Sequence, residues 1–389
     1  MDNFSTVLAI CRTALKSPNA TLSRNVGRLA DLLAKQAENE QSDALRELLD
    51  QTSRSAQLVP SRVILSSAAV IERMSASVHP PTDRETSAPL AAIVHPIRRN
   101  DVEQPILDES LRDAISSLLE EWKHAHELAN AGVRPPLSLL MYGAPGTGKT
   151  VLAHSMAQEM NLPLVVARLD GLISSFLGTT ARNIASLFEF ANRYECILLL
   201  DEFDAVAKIR DDPHEVGEIK RVVNTLLQCL DGRKDLGFTI AITNHEQLLD
   251  SAIWRRFDTT IEIPAPGLAV RRRILERYML HTVVDPVDID FLAWLTEGRS
   301  GAQIEALCDS IKRYLIMNGA DRKAIMTALK VNTLLNASIG SATRSQLVTG
   351  EPEILARELS AEESVRFTQE SLARLFDTTQ STISRWIRK

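Results

Sequence analysis

The sequence predicts an α/β fold. A parallel sheet covered by helices on both faces forms a three-layer αβα core, with further helical segments before and behind it. Three observations predict this. Five short apolar runs, at 137–142, 163–168, 196–200, 238–243 and 260–263, alternate with segments whose apolar residues recur at helical spacing. Such βα alternation builds a parallel sheet buried on both sides. A glycine-rich loop separates the first run from the helix after it, and from 269 to 318 the pattern turns wholly helical, as a small lid would.

In chain order, residues 4–15, 22–36 and 42–51 each place apolar residues on one helical face, and Ser17-Pro18-Asn19 breaks the first from the second. They predict a helical N-terminal domain over 1–74. Its second helix is basic through Arg24, Arg28 and Lys35, which suits either an adaptor for a partner or a packing cap. Ser, Pro and Thr accumulate from Ser75 to Thr82 and predict a linker over 75–100. Two amphipathic stretches lead into the first strand, and the core is expected over 101–265. A helical lid follows over 266–337. After a Ser/Gly/Thr-rich stretch around 338–345, the tail over 338–389 is helical again.

At 389 residues, 44% hydrophobic and 24% charged, the chain reads as several globular units. A net charge of −6 excludes an overall drive toward nucleic acid or anionic membrane and leaves room for a local basic patch. Cys11, Cys196, Cys229 and Cys308 stand far apart without a C-x-x-C pair, the pattern of reduced core thiols. No apolar run approaches the roughly 18 residues of a membrane span, and the N-terminus lacks a signal-peptide core. The expected location is cytoplasmic, with no membrane partner.

The loop Gly143-Ala144-Pro145-Gly146-Thr147-Gly148-Lys149-Thr150 follows an apolar strand and opens the helix that continues with Val151. Its glycines let successive backbone N–H groups point inward around an anion, and the helix N-terminus adds its partial positive charge. Lys149 is expected on the β/γ-phosphates and the Thr150 hydroxyl on Mg²⁺. These features predict a P-loop NTPase core. Downstream, Ile197-Leu198-Leu199-Leu200 ends in Asp201-Glu202. A buried strand does not place two carboxylates at its tip without cause, because desolvating them unpaired is costly. Asp201 suits the Mg²⁺ shell, and Glu202 suits the polarisation of a water for attack on the γ-phosphate. ATP hydrolysis is the expected consequence.

From about Leu107 to Met317 these motifs resemble the AAA ATPases, ring-forming motors and remodellers. The resemblance implies that Asn244, after Thr243, orients the attacking water. It implies that Arg255 or Arg256, in the segment Leu249 to Asp258, faces the nucleotide of a neighbouring subunit. The chain reads Arg255-Arg256 directly, without the Pro-Gly many members place between the two, and either fits the finger role. Gly298-Arg299-Ser300-Gly301-Ala302-Gln303-Ile304 resembles the lid motif, so Gly301 and Ala302 join Gly143 to Val151 as nucleotide-binding residues. Gln303 stands where many members have an acid. Phe176 and Leu177, before Gly178, resemble the pore tip that grips polypeptide; packing against the next helix is the plainer reading. The stretch 208–220 would supply a second pore loop. A homo-hexamer using ATP and Mg²⁺ on a protein substrate is implied.

Residues 367–386 resemble a bacterial helix-turn-helix, with small Ala373 in the first helix and Ile383 packing the second back. Gln380, Ser381, Thr382 and Arg385 fall on the face that reaches DNA or docks a protein. Residues 366–389 hold five Lys/Arg against two acids. Two functions follow as expectations. The first is an ATP-driven ring that remodels or threads protein, beside a partner protease or other effector in a plasmid-maintenance or antiphage setting. The alternative is an ATP-dependent, DNA-associated regulator acting through the tail.

Overall fold

Each strand of the core sends alternate side chains to opposite faces, and different helices cover the two faces. The structure, a computed structural model, describes residues 72–83, 86–96, 104–168, 177–207, 216–233, 237–249, 251–280, 282, 285–319, 324–335 and 342–388, with isolated positions between 26 and 45. The chain divides into two units, Met1–Ala69 and Val70–Lys389. In the first, Val26, Leu33 and Leu45 are buried helical positions; the rest of the expected N-terminal helices lies outside the described residues.

The core of the second unit runs through β1 (Ala91–Val94), α1 (Glu109–Lys123), β2 (Ser138–Tyr142), α2 (Lys149–Met160), β3 (Leu164–Ala167), α3 (Leu177–Ala191), β4 (Ile197–Leu200), α4 (Val216–Arg233), β5 (Thr239–Thr243) and β6 (Thr259–Glu262). The sheet order is β1-β3-β4-β5-β2-β6. β1 pairs antiparallel with β3, and every other neighbour pair is parallel. The chain leaves β2, crosses two strand positions to β3, and works back through β4 and β5 before β6 closes the other flank. The carboxyl end of β2 therefore lies where connections diverge, the place in an open α/β sheet where ligands bind.

Strands β2 to β6 fall on the five apolar runs to within one residue at each end. Leu139, Met141, Ile197, Leu199, Ile240 and Ile242 pack beneath α1 and α2, with Trp122, Leu152 and Met156. Leu140, Val165, Leu198, Leu200 and Ala241 face the other way, against Leu187 and Phe188 of α3 and Leu226 and Leu230 of α4. Among the described residues no helix is long and apolar enough to cross a membrane.

The segment expected as a linker holds more structure than its composition suggests. β1 adds an antiparallel edge to the sheet. Before it, buried Asp83 accepts from the Asn183 amide of α3 at 2.6 Å and from the Thr86 N–H at 2.8 Å. Tertiary pairing fixes this stretch, and local composition does not report it.

Behind the core come α5 (Leu268–Tyr278), α6 (Pro286–Leu295), α7 (Gly301–Asn318), α8 (Ala324–Leu335), α9 (Ala342–Thr349), α10 (Pro352–Ala361), α11 (Gln369–Leu375) and α12 (Gln380–Arg388). Asp285 caps α6 by accepting from the Val287 N–H at 3.1 Å. Seven of its ten residues are buried. A helix apolar all round needs cover on every side. Lid helices supply part of it and tail helices the rest, so Leu275, Ile304, Ile325, Leu355, Leu372 and Ile383 share one core with Phe291 and Trp294.

Candidate functional site

The loop after β2 is shaped by close approach. Gly143 (φ 136°) lies so near β6 that a Cβ would stand 2.3 Å from the Ile263 carbonyl oxygen. Gly146 (φ 74°) would place one 2.8 Å from Ser300 Oγ of the lid. Larger residues would push the strand and the lid away from the loop. The lid is also bonded there, since the Ala302 N–H donates to the Gly146 carbonyl at 3.1 Å.

Lys149 opens α2, 4% exposed, and its ammonium donates to the Gly143 and Ala144 carbonyls at 2.8 and 2.7 Å. Burial holds this ammonium below the usual lysine range, against the pull of Asp201, Glu246 and Asp204. A buried cation at a helix N-terminus is complementary to an anion. The Thr150 hydroxyl donates to Asp201 Oδ2 at 2.9 Å. The two oxygens suit a hard cation such as Mg²⁺. Glu202 stands exposed beside them with φ 52°, and its N–H donates to Asp201 Oδ1 at 2.9 Å.

These residues line one cleft of about 360 Å³. Its lining includes Gly146, Thr147, Gly148, Lys149, Thr150 and Val151 of the loop and α2, Asp201, Glu202 and Asn244 that follow β4 and β5, and Gly301 and Ala302 of the lid. Gly143, Ala144 and Pro145 precede the lining residues in the same loop, and the first two supply the carbonyls that hold Lys149. Sequence reasoning missed the far wall, built by Gln104, Pro105, Ile106, Ile274, Arg277 and Tyr278. Arg277 donates to the Gln104 carbonyl across 173 positions of chain, a contact that no local pattern signals. Gln303 is occupied as a cap, accepting from the Ser300 N–H at 2.9 Å.

Residues 139–265 match the model of the ATPase family associated with various cellular activities (AAA). An uncharacterized AAA family ATPase of Sinorhizobium fredii is 40% identical over 221 residues, 56% of this chain and 65% of that one. Proteasome-activating nucleotidase 2 of Haloferax volcanii is 37% identical over 224 residues, 55% and 54% of the two chains. Protein SAV of Sulfolobus acidocaldarius is 36% identical over 217 residues, 53% and 27%. The chain carries an AAA domain over residues 139–265. It spans less than two thirds of the length of each of these relatives.

The AAA domain keeps its two arginines out of its own cleft. Asp258 anchors their segment, accepting from Ser138 Oγ at 2.6 Å, and Phe257 packs edge-on against Phe203 at 5.9 Å. Arg256 is half-buried and paired with Asp231 of α4 at 3.1 Å. Arg255 is exposed and makes no ion pair among the described residues. Phe176 and the stretch 208–215 lie outside the described residues, and Leu177 begins α3. Gln380, Ser381, Thr382 and Arg385 sit on α12, remote in sequence from every cleft residue; Thr382 is half-buried and the other three are exposed.

Proposed function

We propose that this chain hydrolyses ATP within a homo-hexameric ring and uses the cycle to unfold or thread protein. The observation that carries the reading is the convergence of Lys149, Thr150, Asp201, Glu202 and Asn244 in one lidded cleft. The triphosphate would displace the loop carbonyls from the Lys149 ammonium, and loop N–H groups would take the remaining phosphate oxygens. Thr150 and Asp201 would hold Mg²⁺, which neutralises charge on the phosphates. Asn244 orients a water, Glu202 takes its proton as the oxygen attacks the γ-phosphorus, and ADP leaves with the bridging oxygen. Ile106, Ile274 and Tyr278 offer the apolar surface a nucleobase needs.

Arg255 is the better candidate for the finger, because Arg256 is held by Asp231. An exposed guanidinium with no ion pair among the described residues is placed to act on a neighbour's nucleotide. The relatives named proteasome-activating nucleotidases support a polypeptide substrate. Phe176 and Leu177 would grip it at the pore, and a partner that receives the unfolded chain fits the same scheme.

The test pairs two variants. Lys149→Ala should lose ATP binding by calorimetry, because the cleft loses its buried cation. Glu202→Gln should bind Mg-ATP as the parent does and release no phosphate, since the amide cannot take up a proton. A folded Glu202→Gln protein that turns over at the parent rate would overturn the assignment. Stimulation of phosphate release by an unfolded polypeptide, lost in Phe176→Ala, tests the threading step.

A further inference from the structure

Among the described residues three carboxylates line the nucleotide cleft, and hydrolysis employs two of them. Asp201 is bonded to Thr150 at 2.9 Å, and Glu202 stands beside it. The third is Glu305 of α7. It is half-buried, and its carboxylate accepts no hydrogen bond and makes no ion pair among the described residues. In a cleft that takes a triphosphate, an unanswered negative charge repels the ligand. Such a group is tolerated where the ligand itself brings donors to it.

The course of α7 fixes which part of the ligand that is. At its start, a Cβ on Gly301 would lie 3.4 Å from the Gly146 carbonyl oxygen and 3.9 Å from Ile274 Cδ1. The Ala302 N–H donates to the same carbonyl at 3.1 Å. Farther along, the Lys312 ammonium lies 6.0 Å from the centre of the Tyr278 ring. The helix therefore runs from the phosphate loop along the wall that holds Ile274 and Tyr278. Glu305 stands one turn, about 6 Å, past Gly301 and on the same face. A nucleotide laid along this course has its phosphates at Gly146, its base against the apolar wall, and its ribose between the two.

Ribose answers the charge of Glu305. Its adjacent 2′- and 3′-hydroxyls are two O–H donors, and a carboxylate has two oxygens to accept them side by side. Hydrogen bonds to an ionised acceptor are short and strong. Dinucleotide-binding sheets use an acid on the ribose for the same reason. The adenine amine stands at the end of the base away from the sugar, farther along the cleft. We propose that Glu305 accepts the ribose 2′- and 3′-hydroxyls and makes the cleft selective for ribonucleoside triphosphates. The proposal rests on the nucleotide reading of the cleft and adds the residue that reads the sugar.

The experiment measures by calorimetry the affinity of the full chain for Mg-ATP, its 2′,3′-dideoxy analogue and inosine triphosphate. The parent should bind ATP about tenfold or more tightly than the dideoxy analogue. Glu305→Ala, with its melt checked against the parent, should bring that ratio to about one. It should bind the dideoxy analogue no more weakly than the parent does, whereas a purely structural role for Glu305 would weaken both ligands alike. Glu305→Gln, which keeps one acceptor oxygen, should fall between. A parent that binds ATP and the dideoxy analogue equally overturns the proposal and leaves the nucleotide reading standing. A Glu305→Ala protein that keeps the sugar preference also overturns it, and one that loses only a preference for ATP over inosine triphosphate places the carboxylate on the base amine instead. A parent that binds none of the three overturns the nucleotide reading itself, and this proposal with it.

Discussion

At Glu202 conformation and chemistry pull apart. Its φ of 52° lies in the left-handed region, which costs a residue with a Cβ about 1–2 kcal/mol. The conformation is enforced from both sides. Asp201 Oδ1 holds the Glu202 N–H, and the next N–H, of Phe203, donates to the Ile242 carbonyl of β5 at 2.8 Å. Strain imposed this way is commonly found where a side chain must be aimed. Glu202→Gly should therefore raise the melting temperature, by a gain of about 1 kcal/mol, while abolishing phosphate release. Glu202→Gln should abolish release with the melt unchanged. A glycine variant that melts lower would show that the backbone is relaxed there.

The arginine pair separates in the same way. Arg256→Ala removes a half-exposed ion pair worth about 0–1 kcal/mol and should nudge the melt of the protein. Arg255→Ala should leave melt and ATP affinity alone yet cut phosphate release sharply. Equal loss of release in both variants would undo the assignment of Arg255.

At the scale of elements, legibility tracked how local the cause of each element is. β2 to β6 announce themselves because a strand buried on both faces must be an apolar run, and the phosphate loop does because its glycines and Lys149 are adjacent in sequence. β1 does not, since Ala91-Ala92-Ile93-Val94 is four residues long and owes its strand to β3. The far wall of the cleft is invisible for a related reason: Gln104 and Arg277 meet only after folding. Asp83 shows how much the supposed linker depends on such contacts. Asp83→Ala would leave the buried Asn183 amide without this acceptor and release the Thr86 N–H, costing about 1–3 kcal/mol. Hydrogen exchange should then quicken at Ala91–Val94, with β4 and β5 as protected as before. Asp83→Asn, which keeps an acceptor oxygen, should restore part of the protection. Unchanged exchange at β1 would mean that the strand is held without the Asp83 contact.

Across the whole molecule, lid and tail act as one body joined to the phosphate loop. Trp294 of α6 is the centre of that union. Its indole donates to Glu362 at 2.7 Å, its carbonyl accepts from Arg344 at 2.7 Å, and the Arg344 guanidinium lies 4.5 Å over its ring. Buried Ile383 belongs to the same core at the far end of the chain, while at the near end the Ala302 N–H holds the Gly146 carbonyl. A cavity at Ile383 should cost about 2–5 kcal/mol. Because the core is shared, the loss should not stay in the tail. Ile383→Ala should speed hydrogen exchange in α6 and α7 together with α11 and α12, leave the strands of the sheet protected, and weaken ATP binding by loosening the lid over Gly146. Arg385→Ala, on the outer face of the same helix, should do none of this. If Ile383→Ala speeds exchange only in α11 and α12, with ATP affinity intact, the tail is a separate body resting on the lid. Coordinated loss across α6, α7 and α12 would instead mean that motion of the lid over the nucleotide carries the outer face of α12 with it.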